Sequence, residues 1–363
     1  MLFIFAIIIN EADYMLIQLE DGRTVGIENS NGDITYISHA HSDHARKGRI
    51  FSSKETFDLL YNNFSQKITD HKSHLSADFI PISDKSIELH PAGHILGSTQ
   101  IRFTNSHTVV FTGDMKLRDS FTSEKARILD CDELHIDCTF GHQDFIFPDI
   151  DVIADRIDRW TRTRLMTGQN VIFGAYSTGK AQELIKILND YSNITPIVDN
   201  TIEQKCKVYE KHGVRLERAE IGSEKANEIM KDKFVYIIPF HLVNRNSENW
   251  FKIQYKQVSF ALVTGWALRY KYKYTAFPLS DHAGFSEILE YIDSARPKEI
   301  ICHYGNAAWM ASYLKSKGYN AKTESEWKLY SKSSIIESVK ESSSSTNNSS
   351  EIKAVMQSIA QTG

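Results

Sequence analysis

Short apolar runs alternate with amphipathic stretches along most of the chain, the pattern of an α/β fold. Ile150, Ile153, Ile157 and Trp160 fall at helical spacing and predict a helix over about 149–166. Phe285, Ile288, Leu289 and Ile292 predict another, stopped before Pro297 because the residue preceding a proline is driven out of the helical region. Between these two stripes, Asn170 to Phe173, Phe234 to Ile238 and Phe260 to Val263 read as buried strands. No internal repeat is visible.

At several places an apolar run ends and a polar residue follows at once. Ile37 leads to His39, Phe111 to Asp114, Ile136 to Asp137 and Ile301 to His303. Strand ends that open into loops are where a rigid sheet presents functional groups at one edge. The N-terminal run Met1 to Ile9 is too short to span a bilayer and lacks the basic flank of a secretory signal, so a leading strand or an extension upstream of a start at Met15 is expected. No other segment approaches transmembrane length, which predicts a protein without a membrane partner. Beyond about Tyr330 the Ser- and Asn-rich composition predicts a disordered tail, with at most a short helix near Ile352 to Ile359.

The chain has 363 residues, enough for a large core and for two domains or one domain with an insertion. Its net charge of −4 excludes a polycation, so any contact with nucleic acid must come from local basic patches. The four cysteines, Cys131, Cys138, Cys206 and Cys302, show no C-x-x-C spacing. That spacing indicates neither a zinc ribbon nor a disulfide framework, and predicts reduced thiols in a cytoplasmic protein.

The most informative stretch is His39-Ala40-His41-Ser42-Asp43-His44, which follows the apolar run Ile34 to Ile37 and packs three imidazoles and a carboxylate into six residues. Imidazole and carboxylate are the ligand types that zinc takes, and a bound metal makes water a usable nucleophile near neutral pH. The order H-x-H-x-D-H resembles the signature of the metallo-β-lactamase fold. Further residues fit it: His94 within Pro91-Ala92-Gly93-His94-Ile95-Leu96-Gly97-Ser98, and Asp114 at the end of Thr108 to Asp114. The resemblance implies two metals, with His39, His41 and His94 on one, Asp43 and His44 on the other, and Asp114 bridging them.

The second half narrows the resemblance. Asp132 to Gly141, with Asp137 in the acidic position, resembles motif A of the β-CASP nucleases; Ser280-Asp281-His282-Ala283-Gly284-Phe285 resembles motif B, and Ile300 to Gly305 motif C. The likeness covers about 34–306 and is nearest to compact archaeal and bacterial members related to mRNA 3′-end processing factors and crosslink-repair nucleases. It implies an αββα sandwich of the metallo-β-lactamase type carrying an inserted β-CASP α/β cap. The boundaries expected are 1–148 and 276–330 for the two parts of the sandwich, 149–275 for the cap and 331–363 for the tail. An acidic residue on a strand before H-x-H-x-D-H belongs to the family pattern; Glu28 and Asp33 are both candidates.

The resemblance implies hydrolysis of a phosphodiester by a hydroxide bridging two zinc ions, with manganese or iron as alternative metals. Asp43 belongs to that machinery, His282 is the candidate general acid, Asp137 its orienting carboxylate, and His303 the completing ligand of the second metal. Single-stranded RNA is the expected substrate, because His at motif C is the pattern of the RNA-processing branch, with a DNA-repair exonuclease the close alternative. A small-molecule metallo-hydrolase and a silent scaffold are the readings from other classes. A homodimer is the default expectation for assembly.

Basic residues near these motifs are candidate phosphate contacts. Gly174-Ala175-Tyr176-Ser177-Thr178-Gly179-Lys180-Ala181 fits G-x-x-x-x-G-K but lacks the Ser or Thr a P-loop needs, which argues against an NTPase and leaves Lys180 as a possible phosphate contact. Arg269-Tyr270-Lys271-Tyr272-Lys273-Tyr274 alternates cations with tyrosines. On a strand that alternation puts Arg269, Lys271 and Lys273 on one face to track phosphates and the rings on the other, either to stack bases or simply to be buried. Ala45 to Arg49 adds positive potential beside the histidine motif.

Overall fold

A computed structural model of the chain describes residues 7–9, 15–28, 30, 32–61 and 77–329. The tail, and most of the N-terminal segment whose strand was expected, lie outside the described residues. Six strands, β1 (Ile7–Ile9), β2 (Met15–Gln18), β3 (Thr24–Ile27), β4 (Ile34–Tyr36), β5 (Gly48–Phe51) and β6 (Ala77–Phe79), form a first sheet in that order, with helix α1 (Lys54–Tyr61) between β5 and β6. A second sheet begins with β7 (Ile87–Pro91), β8 (Thr99–Thr104), β9 (Thr108–Phe111) and β10 (Glu133–Asp137). The chain then leaves it through α2 (Ile150–Met166), the helix expected from the Ile150–Trp160 stripe.

The excursion builds a third sheet from β11 (Asn170–Ala175), β12 (Ile197–Val198), β13 (Ala219–Glu220), β14 (Val235–Pro239), β15 (Val258–Val263) and β16 (Thr275–Phe277). The intervening helices are α3 (Lys180–Ser192), α4 (Asn200–Lys211), α5 (Glu224–Ile229) and α6 (Arg245–Tyr255). Every pairing in this sheet is parallel, in the order β13-β12-β14-β11-β15-β16. After α7 (Phe285–Ala295), β17 (Glu299–His303) returns beside β10, and β18 (Ala321–Thr323) follows α8 (Ala307–Ser316) to close the second sheet as β18-β17-β10-β9-β8-β7.

Side-chain alternation explains the layers. Ile17, Val25, Ile34 and Tyr36 of the first sheet pack against Ile101, Phe103 and Phe111 of the second, so these two sheets face one another. The other face of the second sheet offers Leu134, Ile136 and Ile300 to Ile288 and Ile292 of α7 and to Met310 and Leu314 of α8. In the third sheet Val171 and Phe173 meet α2, α3 and α4, while Ile172 faces the side covered by α5 and α6. A parallel sheet covered on both faces needs continuous apolar strands, which is why β11 and β14 read as unbroken runs rather than alternating ones.

Buried polar contacts tie the excursion to the first two sheets. Glu183 of α3 accepts from the Phe121 amide (2.9 Å) and from the Ser120 and Thr122 hydroxyls (2.9 and 2.6 Å). Removing that carboxylate leaves three donors without an acceptor, each costing ~1–3 kcal/mol when buried. Glu183→Ala is therefore expected to lower stability by about 3 kcal/mol or more, seen as a fall in Tm of several degrees, with Glu183→Gln intermediate. An unchanged Tm would remove this contact from the account. Among the described residues no helix is long and apolar enough to cross a membrane.

Candidate metal centre

The strand ends deliver the polar groups. β4 runs directly into the segment carrying His39, His41, Asp43 and His44, and the fully buried Tyr36 fixes its end by donating from its hydroxyl to the Thr99 carbonyl (2.8 Å) across the two sheets. His94 sits in the turn between β7 and β8. Asp114 follows β9 after Gly113, whose φ of +55° and closeness to Ser38 (2.7 Å from an added Cβ) admit no side chain. Asp137 and His303 end the parallel neighbours β10 and β17, paired in register, and His282 lies in the loop before α7.

His39, His41, His94 and Asp114 converge so that one ligand atom of each lies within 4.8 Å of the others, and Asp114, Asp137 and His282 form a second such group. His39 Nε2 and His94 Nε2 stand 3.1 and 3.2 Å from His41 Nδ1, and 3.4 and 3.5 Å from Asp114 Oδ2. The remote nitrogens are occupied elsewhere: His94 Nδ1 donates to the Asp281 carbonyl (3.0 Å), and His39 Nδ1 meets the Ser38 hydroxyl (2.9 Å). Such outward bonds leave the Nε2 lone pairs facing inward.

The electrostatics fit a cation. Burial holds His39 and His94 well below the ordinary imidazole range and His41 down at about 4, so all three stay neutral and keep a lone pair. Burial, reinforced by the nearby Asp137 and Glu28 carboxylates against the pull of His282 and His44, pushes Asp114 up to about 7. Converging imidazole lone pairs and a carboxylate raised towards neutrality are both relieved by one positive charge. The donor set is one that zinc accepts, and manganese or iron as well.

Glu28, not Asp33, is the acidic residue of the preceding strand that reaches this centre. It lies in the turn closing β3 at φ +53°, accepts from the Ser38 amide (3.0 Å) and receives His44 Nδ1 (2.5 Å). Asp33 instead accepts from the Thr24 amide and hydroxyl. Burial alone lowers the His44 pKa, but Glu28, with Asp114 and Asp43, outweighs it and raises His44 to about 9. His44 Nε2 points on towards Asp43 (3.8 Å), whose side chain is 80% exposed on the rim. Glu28→Ala is expected to weaken metal retention about 10- to 100-fold, read by competition with a chelator, because the partner that orients His44 is gone. Retention equal to that of the unmodified chain would show that Glu28 does not orient a ligand.

His303 is not among the residues of these two groups. Strand alternation puts it on the same face of β17 as Ile301, which packs against Trp327 between the layers. There its Nε2 meets His135 Nδ1 (2.9 Å) and its Nδ1 lies 3.3 Å from Glu324. The next residue, Tyr304 at φ +62°, lies in the field of Glu28, Asp114 and Asp137, and burial together with these carboxylates raises its hydroxyl above the ordinary range.

His282 Nδ1 bonds Asp137 Oδ2 (2.8 Å), and its Nε2 is 3.9 Å from Asp114 Oδ2. Burial works against the imidazolium, yet Asp114 and Asp137 outweigh it and raise the His282 pKa. Asp137 is held low because its burial is offset by His282 and by hydrogen bonds from Thr139. His282 opens onto a cleft of about 320 Å³ shared with His41, Asp43, Lys180, Tyr176 and Trp266.

The basic residues divide. Lys180 lines the cleft, but its ammonium is bound to the buried Asp281 carboxylate (2.8 Å). Residues 269–274 do not form the expected strand; they are irregular until β16 begins at Thr275. Lys273 pairs with Glu248, which also accepts from the Tyr274 hydroxyl, Arg269 lies 3.8 Å from Asp144, and Lys271 is exposed. Tyr272 and Tyr274 are half-buried. Local side-chain anchors to Glu248 thus replace a ladder. Arg46 bonds the Asp43 and Ala45 carbonyls and so braces the turn after the histidine motif. Sequence reasoning missed Asp281 as an anchor for both His94 and Lys180, although it stands beside His282 in the quoted motif.

No protein-family model matches the chain. It is 27% identical over 305 residues to a probable DNA ligase of Opitutus terrae, covering 79% of this chain and 28% of that protein. It is 29% identical over 210 residues to the probable RNase MJ4 of Methanocaldococcus jannaschii, covering 47% of this chain and 49% of that one. It is 25% identical over 204 residues to the transcription termination factor FttA of Methanothermobacter thermautotrophicus, covering 46% and 32%. The chain thus spans about half or less of the length of these relatives. A crystal structure of a protein of unknown function from Enterococcus faecalis V583 superposes with a TM-score of 0.52 at 14% identity over 76% of each chain, a likeness of fold.

Proposed function

The chain belongs to the β-CASP family of metallo-β-lactamase-fold nucleases, and from that premise we propose that it is a metal-dependent phosphodiesterase acting on single-stranded nucleic acid. The proposed architecture is an αββα sandwich built from 1–148 and 276–330 with a β-CASP cap over 149–275. The facing first and second sheets, completed by β17 and β18 after the parallel third sheet, support it.

In this reading His39, His41, His94 and Asp114 hold one divalent cation, and Asp114 with Asp43 and His44 a second. When bound, such cations neutralise phosphate charge and activate water near neutral pH. His282 gives the proton from Nε2 to the departing sugar oxygen, and Asp137 holds Nδ1 so that the ring faces the cleft and keeps its charge. The carrying observation is that the His282–Asp137 pair and the His/Asp cluster meet at Asp114, so acid and metal ligands flank one cleft. His303, with both ring nitrogens engaged, has no part in this assignment.

RNA is the preferred substrate, on the RNase and termination-factor names of two relatives. The resemblance to a probable DNA ligase over 79% of this chain favours DNA as a second reading. Cleavage of matched 5′- and 3′-labelled single-stranded RNA and DNA by metal-loaded protein, with an Asp43→Ala control, tests both. Metal-dependent loss of label is expected. No cleavage of either strand by metal-replete protein would refute the nuclease reading and point to a small-molecule hydrolase or a silent partner.

A further inference from the structure

Parallel strands deliver their following residues to a common edge, and in open α/β sheets the crevice outside the carboxyl ends of the strands is where ligands bind. In the third sheet β14, β11 and β15 are consecutive neighbours, with Ala175 paired to Pro239 and Gly174 to Leu262. Each continues into an aromatic residue: β14 into Phe240, β11 into Tyr176 and β15, after Thr264 and Gly265, into Trp266. The strand spacing of ~4.8 Å sets the pitch of this row. The Tyr176 and Phe240 rings accordingly lie 5.3 Å apart and 11° from parallel.

Trp266 is anchored on the Phe140–Phe145–Phe147 cluster, but the other two rings of the row are not core packing. Tyr176 is 44% exposed, and neither it nor Phe240 joins a hydrophobic cluster among the described residues. Both Tyr176 and Trp266 line the cleft that holds His41, Asp43 and His282. They are held firmly: Lys180 sits 5.0 Å from the Tyr176 ring centre, and Trp266 packs edge-on against Phe140 (4.7 Å) and Phe145 (5.5 Å). Gly265 permits that approach, since an added Cβ would fall 2.6 Å from Phe140.

Rigid, partly exposed aromatic rings in a row beside a phosphate-cleaving centre fit nucleobases, because every base has a π-face and unpaired bases alone can present it. We propose that Phe240, Tyr176 and Trp266 form a base-stacking row that carries a single strand into the cleft, with Tyr176 against a base next to the scissile phosphate. This rests on the nuclease reading. It takes over the stacking expected of Tyr270, Tyr272 and Tyr274, and it makes unpaired strands the substrate whatever their sugar.

The test uses the full chain with His282→Ala to slow turnover about a hundredfold, and fluorescence anisotropy, read before cleavage sets in, with labelled single-stranded RNA and DNA oligonucleotides. Each is prepared intact and with one abasic position scanned along it. Tyr176→Ala is expected to weaken binding about fivefold to a hundredfold, with Tyr176→Phe close to the unmodified ring. At one position the abasic site should cost the native ring a similar factor and cost Tyr176→Ala nothing further. Unaltered affinity of Tyr176→Ala, or equal additional loss at every abasic position, overturns the row. Should the Ala variant fail to fold, the scan with native protein and Phe240→Ala decides: no sensitive position refutes the proposal. Cleavage assays with intact His282 separate the two readings. If no strand is cleaved, the nuclease reading falls; if strands are cleaved but the scan is flat, only the row falls.

Discussion

Asp114→Ala is expected to abolish turnover and to release roughly half or more of the bound metal. Asp114 is the one residue common to both clusters, with Oδ2 3.4 Å from His39 Nε2, 3.5 Å from His94 Nε2 and 3.9 Å from His282 Nε2. Its carboxyl is pushed to about 7 by burial and by the nearby Asp137 and Glu28, which means its charge is uncomfortable without a cation beside it. Alanine removes that oxygen and would leave only His39, His41 and His94 for one cation and Asp43 with His44 for the other. Asp114→Asn keeps the shape while removing the charge and should retain more metal than Ala. Elemental analysis after gel filtration reads the effect directly, and a metal-replete, fully active Ala variant would sink the assignment.

His282→Ala should behave in the opposite sense, retaining most of the metal while turnover falls roughly 10²-fold or more. In this reading the imidazole serves the leaving group, so the loss should depend on what departs. A substrate releasing p-nitrophenolate needs little protonation and should be cut nearly as fast by the variant, whereas an oligonucleotide releasing a sugar alkoxide should not. The pH dependence follows in sign. Asp114 and Asp137 raise the His282 pKa against its burial, so the acid form is present below that pKa and lost as pH rises through it. Asp137→Asn removes one raising carboxylate and should bring the alkaline fall in activity to lower pH. Equal losses on both substrates, or a parallel loss of metal, would remove the general-acid role.

Much of the architecture was legible in the chain because it depends on short-range pattern. The Ile150–Trp160 stripe became α2, and the apolar runs at 170–173, 234–238 and 260–263 became β11, β14 and β15, with Phe234 just ahead of β14. The histidine motif was equally plain, since His39 and His41 are brought together by two residues of sequence. The Arg269–Tyr274 alternation misled: period two states which side chains share a face only if a strand forms, and Glu248 anchors Lys273 and Tyr274 outside any ladder.

By itself, then, the sequence determined the α/β class, the strand-end placement of polar groups and the imidazole–carboxylate donor set. These follow from local periodicity and from the chemistry of neighbours in the chain. Tertiary structure alone decided between Glu28 and Asp33, turned His303 towards His135 and Glu324, bound Lys180 to Asp281, and lined up Phe240, Tyr176 and Trp266. Each of these contacts joins residues whose meeting depends on which strands are neighbours and on which face a side chain emerges. Pairing between distant segments sets that, and a one-residue change of register would send every side chain on a strand to the opposite face.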